Sequence, residues 1–457
     1  MKIGIIGAGP SGIYAAYELI KSKQYFDITI IEKGHALEKR ICPMHNGLNH
    51  CANCKSCSIM EGFGGAGAFS DGKFNITNDF GGTLFEKIGK EKSMKLMEYV
   101  DEENCEILNK LEIPISKLFE SSDSSFHRIC LQNKLTLLDA SIRHLGTDKN
   151  YKILEYIYKY LVEHGVKFQF DTEVKNIYYS VDKVTLETSK CNEIFEKVII
   201  AVGRSGSKWM SNICKSLKIP AESNKVDLGV RVELPYDVFS NITDKLYESK
   251  IVYRTQRYED NVRTFCMNPR GIVVNENTNG IITVNGHSFE DESKHTNNTN
   301  FALLVSQRFT EPFNDSNEYG ESIAKLSNML GKGVIVQRFG DLIRYKRTTL
   351  TRLEKSTVRP TLAANPGDLS LVFPKRILDD IIEMIYALNK IAPGTANDDT
   401  LLYGVEVKFY NIQISVDNDL KICDNIYVIG DCSGVTHSLS QAAASGVYVA
   451  EKLIGWI

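Results

Sequence analysis

An α/β fold, in which a Rossmann-like nucleotide-binding domain is interrupted by an inserted, strand-rich α+β domain, is predicted by three features of the sequence. The chain opens with "KIGIIGAGPSGIYAAYELI", an apolar strand, a glycine turn and a helix with apolar residues at helical spacing. It closes with "NIYVIGDCSGVTHSLSQAAASGVYVAEKLI", again strand, turn and helix, the helix now built of small residues. From Val226 to about residue 400 the texture changes to alternating strands and polar loops, and the first pattern then resumes. The domains therefore read as 1–225, with a helical insertion at about 83–150, then a substrate or cap domain at 226–400, then 401–457 returning to the first domain.

The opening unit is β-α-β. Gly7, Gly9 and Gly12 form G-x-G-x-x-G between strand and helix, with Pro10 and Ser11 inside the motif, and Glu32 ends the next strand. Gly7 permits the turn, Gly9 lets backbone approach a pyrophosphate, and Gly12 lets helix and strand pack closely. The diphosphate would sit at the helix N-terminus, with Glu32 accepting ribose hydroxyls and Lys33 and Arg40 close behind. A purely structural glycine turn is the weaker reading, because strand, helix and acid all stand at the expected spacing. Residues 83 to 165 read as mainly helical. Short alternating segments follow, including one that begins at Val174, a candidate cofactor contact, and they close on the continuous apolar strand at Val198 to Val202.

"YVIGDCSG" near the end resembles the late motif of the large flavoprotein superfamily, and "VIIAVG" at 198–203 resembles its intermediate motif. That resemblance implies FAD. It places Asp431, after Gly430, on the ribityl chain, the helix from Ser438 with Gln441 and Ala442 at the flavin N1/C2 edge, and Ala201 and Gly203 on the nucleotide. The set "GFGGAGAFSDGK", "SIRHLGTD", "AVGRSG", "DLGVRVE", "VNGHSF", "LLYGVEVKFY" and "GDCSGVTHSLSQAAASG" is similar to a bacterial family of FAD-dependent dehydrogenases with plastid relatives. It looks like the glutathione-reductase-related flavoproteins with one nucleotide domain. The departure is at "FCMNPRG", where Asn268 and Arg270 replace a second cysteine and a glycine of the family; this implies a different or more anionic substrate. No second G-x-G-x-x-G follows a strand, so any NAD(P)H would be a transient donor visiting the flavin directly, the alternative being an electron-carrier protein.

Gly64, Gly65, Ala66 and Gly67 lie in "EGFGGAGAFSDGK", where missing side chains would let a flat ring lie against backbone. Just before them stand Cys42, Cys51, Cys54 and Cys57, spaced C-P-x7-C-x2-C-x2-C. This spacing suits a [4Fe–4S] cluster, or zinc with His45 or His50 as a replacement ligand, or simply free thiols, and the three readings stay open. A cluster would bring one-electron traffic to the flavin; zinc would brace the loop.

His437 is the first candidate for proton donation beside the flavin or substrate, against a capping or surface role. Lys73 follows the glycine loop, though "SDGK" with Asp71 is also ordinary turn chemistry. Arg204, after "AVG", is a candidate contact to flavin or phosphate, against a solvated strand end. In the cap domain Tyr253 and Cys266 are the catalytic candidates, with Arg254, Arg270 and His287 as polar neighbours; each is equally readable as an ordinary strand residue.

Composition narrows the partners. A net charge of -3 from 54 basic and 57 acidic residues argues against nucleic acid and anionic membranes. No run approaches the roughly 20 apolar residues of a spanning helix. Without a charged, apolar leader, and with scattered cysteines, the expectation is a cytoplasmic protein acting on a small molecule. The expected activity is hydride transfer at flavin N5 to or from a small organic substrate, with reduction of an activated double bond as one specific form. The alternatives are a flavin and cysteine redox sensor or electron-transfer protein, and a flavin-dependent tRNA-modifying enzyme, which the lack of a basic face disfavours.

Overall fold

The computed structural model describes residues 1–43, 54, 56–120, 123–246, 248–278, 280–289 and 292–455. They divide into two units, one of Met1–Phe119, Ala140–Glu222 and Asn411–Ile457, the other of Glu120–Asp139 and Ser223–Tyr410.

In the first unit, short runs that are apolar on both faces dictate a buried parallel sheet. Its strands lie in the order Lys421–Cys423, Ile426–Val428, Lys197–Ile200, Lys2–Ile6, Asp27–Ile31 and Lys167–Gln169, all parallel except the first, an edge strand. Register sets Ile5 between Ile30 and Ile199. The first helix, Pro10–Lys21, starts on a proline whose missing N–H costs nothing there. It packs against the C-terminal helix, Leu439–Ile454. Their backbones nearly touch: a Cβ on Gly446 would lie 2.2 Å from the Ser11 carbonyl oxygen. The helix Lys90–Lys110 buries Leu96, Met97, Val100, Ile107 and Leu108 at helical spacing. A polar seam runs through this packing, with Arg143 bidentate on Asp101 at 2.6 Å for each bond and the Tyr14 hydroxyl donating to Asn104.

The second unit is built on an eight-stranded sheet in the order Asn365–Pro366, Ile335–Arg338, Leu401–Phe409, Val226–Pro235, Asn298–Gln307, Asn261–Asn268, Lys250–Arg254 and Leu135–Leu138. All pairs are antiparallel except Asn365–Pro366 with Ile335–Arg338. Strict alternation in Val226–Pro235 sends Val226, Leu228, Val230, Val232 and Leu234 to one face. Against that face lies the helix Lys375–Asn389, through Ile377, Ile381, Met384, Ile385 and Leu388. Asp227, Arg231 and Glu233 go to the opposite face, and each is fully buried there. A hairpin of Ile272–Thr278 and Ile281–His287 lies on that side.

Three boundaries expected from the sequence move. The insertion at 83–150 is not helical throughout: Leu84–Ile88, Lys90–Lys110, Ser124–Gln132 and Gly146–Glu163 are separated by strands Leu118–Glu120, Leu135–Leu138 and Ser141–His144. Residues 120–139 also leave the first unit, because Leu135–Leu138 pairs with Lys250–Arg254 as the outer strand of the second sheet. The boundary at 400 shifts to 410, since Leu401–Phe409 pairs on both sides inside that sheet, and the one at 225 shifts to 222. No helix among the described residues is long and apolar enough to cross a membrane.

One buried acid in the second unit makes a stability prediction. Asp380, on the helix Lys375–Asn389, is fully buried, and neither carboxyl oxygen has a partner at hydrogen-bond length. Burial pushes its pKa up to about 7, the Thr255 hydroxyl opposing and the Asp260 carboxylate adding to the rise. Asp260 itself is held low by Arg376, whose Nε and Nη2 donate to it at 2.5 and 2.7 Å. An acid whose folded pKa exceeds its unfolded value, about 3.9, adds stability below that value and loses it as pH rises through the folded pKa. Asp380→Asn should therefore gain about 1–3 kcal/mol relative to the wild type between pH 5 and pH 8. Urea unfolding midpoints at the two pH values measure it, and an equal change at both would show that Asp380 does not titrate there.

Candidate nucleotide-binding site

In the first unit the glycine turn is shaped by contact. The Gly7 N–H donates to the Ile31 carbonyl at 2.8 Å, and its φ of +102° is a conformation that suits glycine. A Cβ there would fall 2.4 Å from the Ala201 carbonyl oxygen, and one on Gly12 would fall 2.3 Å from that of Gly7. Gly9 differs: a Cβ on it, as on Gly203, would meet nothing within 4 Å. That side of the turn is open for a ligand to approach the backbone, next to the N–H groups that begin the first helix.

Glu32 is almost wholly buried and takes three backbone N–H groups, from Ala8 at 2.8 Å on one oxygen and from Gly34 and Gly62 at 2.8 and 3.0 Å on the other. A carboxylate offers about four acceptor sites, so room for a ribose hydroxyl remains. Arg40 is engaged with the protein's own backbone, its Nε, Nη1 and Nη2 donating to the carbonyls of Ser58, Phe63 and Ile59 at 2.9, 2.5 and 2.8 Å. Its guanidinium also lies 4.7 Å from the centre of the Phe69 ring, and burial lowers its pKa to about 10. Lys33 pairs with Glu61 at 2.5 Å. These bonds fix the loop that carries the next glycines.

Gly64 N–H donates to Ala8 at 2.7 Å, and Gly65 lies against Gly9. Gly67 lies against Pro10 and Leu439, the first residues of the two packed helices, while Ala66 is exposed. The Asn150 amide donates to the Gly67 carbonyl at 2.8 Å. Asn150 was missed by sequence reasoning, although an asparagine in step with Ile153, Leu154, Ile157 and Leu161 on a buried helix face is a readable signal. Lys73 begins the strand Lys73–Ile76 and pairs with Asp71 at 3.0 Å. Val174 is buried at the start of Val174–Tyr179, within the first unit's core.

The C-terminal motif closes the other side. Asp431 accepts from Arg204 Nε at 2.8 Å and from the Thr436 hydroxyl at 3.0 Å. Gly430 N–H donates to the Ser445 hydroxyl at 3.0 Å. Ser438 caps the last helix by accepting the Gln441 N–H at 3.3 Å, and Ala442 is buried in the first turn. Gln441, fully buried, donates to the carbonyls of Thr77 and Phe80 and accepts from Leu84 N–H at 3.4 Å. His437 is half-buried; its N–H donates to the Gly81 carbonyl at 2.8 Å and its own carbonyl accepts from Arg204 at 3.2 Å. Thus the turn, the glycine loop and the last helix, far apart in sequence, meet in one unit.

The cysteine set is only partly visible. Cys42, Cys54 and Cys57 are free and at least partly exposed, whereas Cys51, with His45 and His50, lies outside the described residues. Among the described residues no three His, Cys, Asp or Glu side chains are grouped to hold a metal.

The remaining two catalytic candidates belong to the second unit, on opposite faces of its sheet. Tyr253 joins the core beneath the helix Lys375–Asn389 and borders a cleft of about 360 Å³ with Glu383 and Lys390. Burial raises its pKa. Cys266 stands at a bulge with φ of +39°, and its carbonyl accepts from Arg231 at 2.7 Å on the polar face. The two cannot share a site. Arg254 pairs with Glu259, Arg270 lies over the Tyr236 ring, and His287 ends the hairpin.

Residues 4–62 match the family described as FAD-NAD(P)-binding, and residues 226–409 match the one described as FAD-dependent protein, C-terminal domain-like. A relative from Clostridium beijerinckii, described as an uncharacterized protein, is 24% identical over 98% of this chain and 80% of its own. Among solved structures, L-proline dehydrogenase from P. horikoshii is 14% identical over 99% of this chain and 92% of its own, with a TM-score of 0.39. Glycine oxidase from Geobacillus kaustophilus is 12% identical over 99% and 94%, with a TM-score of 0.40. These two scores are too low to carry an argument. The family matches fall one in each unit, on the glycine turn with Glu32 and on the eight-stranded sheet, and the chain is an FAD-dependent oxidoreductase.

Proposed function

We propose that the chain oxidises or reduces a small organic molecule by exchanging a hydride at flavin N5, and that it belongs with the FAD-dependent dehydrogenases having one nucleotide domain. The observation that carries this reading is the convergence, in the first unit, of the open Gly9 turn, the Gly64–Gly67 loop and the start of the last helix. The residues present suit FAD. Gly9 exposes backbone where a pyrophosphate needs close approach, Glu32 keeps acceptor capacity for ribose, and Asp431 holds its carboxylate beside Thr436. When bound, the cofactor supplies the two-electron chemistry. Around it, Gly64, Gly65 and Gly67 let their loop pack closely on Ala68, Gly9, Pro10 and Leu439, so that its backbone lies beside the turn, and the capped N-terminus at Ser438 presents positive potential to developing negative charge. His437, held through its backbone by Gly81 and Arg204, is the group proposed to hold or deliver a proton. Lys73 stands at the end of the same glycine loop. The reductant is either NAD(P)H, visiting directly, or a protein carrier.

Glu32→Ala strands three buried amides and should cost at least about 2 kcal/mol in unfolding free energy, with FAD retention lost as well. Asp431→Ala should instead reduce FAD retention while moving the apoprotein's unfolding midpoint little. Dialysis against buffer followed by flavin absorbance, beside thermal melts of FAD-stripped protein, separates the two; equal melts for both variants would remove the distinction.

An anaerobic absorption spectrum with iron and zinc assays should show one FAD per chain. Iron in cluster stoichiometry with a shoulder near about 400 nm assigns Cys42, Cys51, Cys54 and Cys57 to a [4Fe–4S] site, zinc alone to a bracing ion, and neither metal to thiols. Protein that contains no FAD and takes none up would sink the whole reading.

A further inference from the structure

The cleft beside Tyr253 has a volume of about 360 Å³ and lies between the helix Lys375–Asn389 and the turn that joins Lys250–Arg254 to Asn261–Asn268. Small-ligand clefts run from roughly 300 to 1,000 Å³, so this one admits a compact molecule built on one ring. Three of its lining residues, Glu383, Ala387 and Lys390, follow one another at i, i+4 and i+7 on one face of the helix. The backbone is still helical at Lys390, which therefore stands about 10.5 Å beyond Glu383 along the axis.

The two ends differ in charge. At one, the Gln256 N–H donates to a Glu383 oxygen at 2.8 Å, and among the described residues no other donor reaches that carboxylate. Fixed by one oxygen, Glu383 keeps acceptor capacity on the other. Asp379, one turn before it, holds Arg257 and the Tyr258 hydroxyl, each at 3.1 Å, so the charges at this end are matched. At the other end Lys390 is exposed and, among the described residues, pairs with no carboxylate.

Between the ends the lining is aromatic. Tyr253 is nearly buried, whereas Tyr386 is 47% exposed even though its ring is held edge-on by Phe339 at 5.6 Å. An aromatic wall already fixed in place offers contact area at little cost in ordering. Singly, an exposed tyrosine and an unpaired lysine are ordinary surface residues. Here both line one cleft that has an acid at its far end and the small side chain of Ala387 between.

We propose that this cleft binds a small aromatic acid that carries a hydroxyl or amine at the end remote from its carboxylate. The carboxylate lies at Lys390, the ring passes over Ala387 between Tyr253 and Tyr386, and the remote group donates to Glu383. The site lies wholly in the second unit and does not depend on the flavoenzyme reading.

Isothermal titration of the FAD-loaded full chain with para-coumarate tests this. Cinnamate, which lacks the hydroxyl, and para-coumaramide, which lacks the charge, serve as controls. The hydroxy acid should bind at millimolar concentration or below, and each control more weakly. Lys390→Met and Tyr386→Ala should each weaken it about tenfold, while Lys390→Arg and Tyr386→Phe keep most of the affinity. Both side chains are at the surface, so unfolding midpoints should hold in all four variants. The proposal is overturned if the hydroxy acid does not bind at millimolar concentration, if either control binds as tightly, or if Lys390→Met and Tyr386→Ala bind it unchanged.

Discussion

The first unit depends on one carboxylate. Glu32 binds the amides of Ala8, Gly34 and Gly62, three separate stretches of backbone that the paired strands and the bonds from Gly64 to Ala8 and from Phe63 to His35 bring within its reach. Hydrogen bonds to a charged acceptor are roughly twice as strong as neutral ones, and burial strengthens them further. The glycine turn and the glycine loop are thereby locked before any ligand arrives. Arg40 completes the lock by gathering the carbonyls of Ser58, Ile59 and Phe63, so a single acid and a single base organise a loop that has little regular structure of its own.

The C-terminal side uses a different device. Gln441 spans to Thr77, Phe80 and Leu84, and the backbone of residues 435–437 pairs with that of 81–83. These bonds are buried and permanent. Asp431 is the exception, since its partner Arg204 is more than half exposed. Exposed ion pairs contribute about 0–1 kcal/mol, so under the proposed function a ribityl hydroxyl at Asp431 would displace little. Rigid bonds set the position of the turn, the loop and the last helix, whereas Asp431 is held by an exposed pair.

What the sequence made legible was local. Gly7, Gly9, Gly12 and Glu32 were readable because their spacing is fixed by one β-α-β unit, and Ser438 because it caps a helix of small residues. Pairing between distant strands was not. Leu135–Leu138 is four residues long and gains its place only from Lys250–Arg254, and Leu401–Phe409 reads as the start of the returning domain until its two partners are known. Tyr253 and Cys266 looked like neighbours in function, but which face each takes depends on a bulge between Phe265 and Asn268 that no pattern announces. Arg231 is the same lesson in another form: a period of two tells which face a side chain joins, not whether that face meets water.

The two sheets show where stability and chemistry part company. The parallel sheet of the first unit buries isoleucine and valine on both faces, and its polar groups at the site are nearly all satisfied by backbone. The antiparallel sheet of the second unit has an apolar face that would hold it together unaided, yet its other face buries Asp227, Arg231, Glu233 and Glu406. Glu233 is fully satisfied, by Asn298, Thr361 and Tyr403, and behaves as a structural group. Arg231 and Glu406 meet only at 3.4 Å, a geometry too loose to offset the desolvation of two charges. Apolar residues of similar size would make an equally or more stable sheet, so the loose pair contributes little to folding, and the apolar face carries the stability of the second sheet.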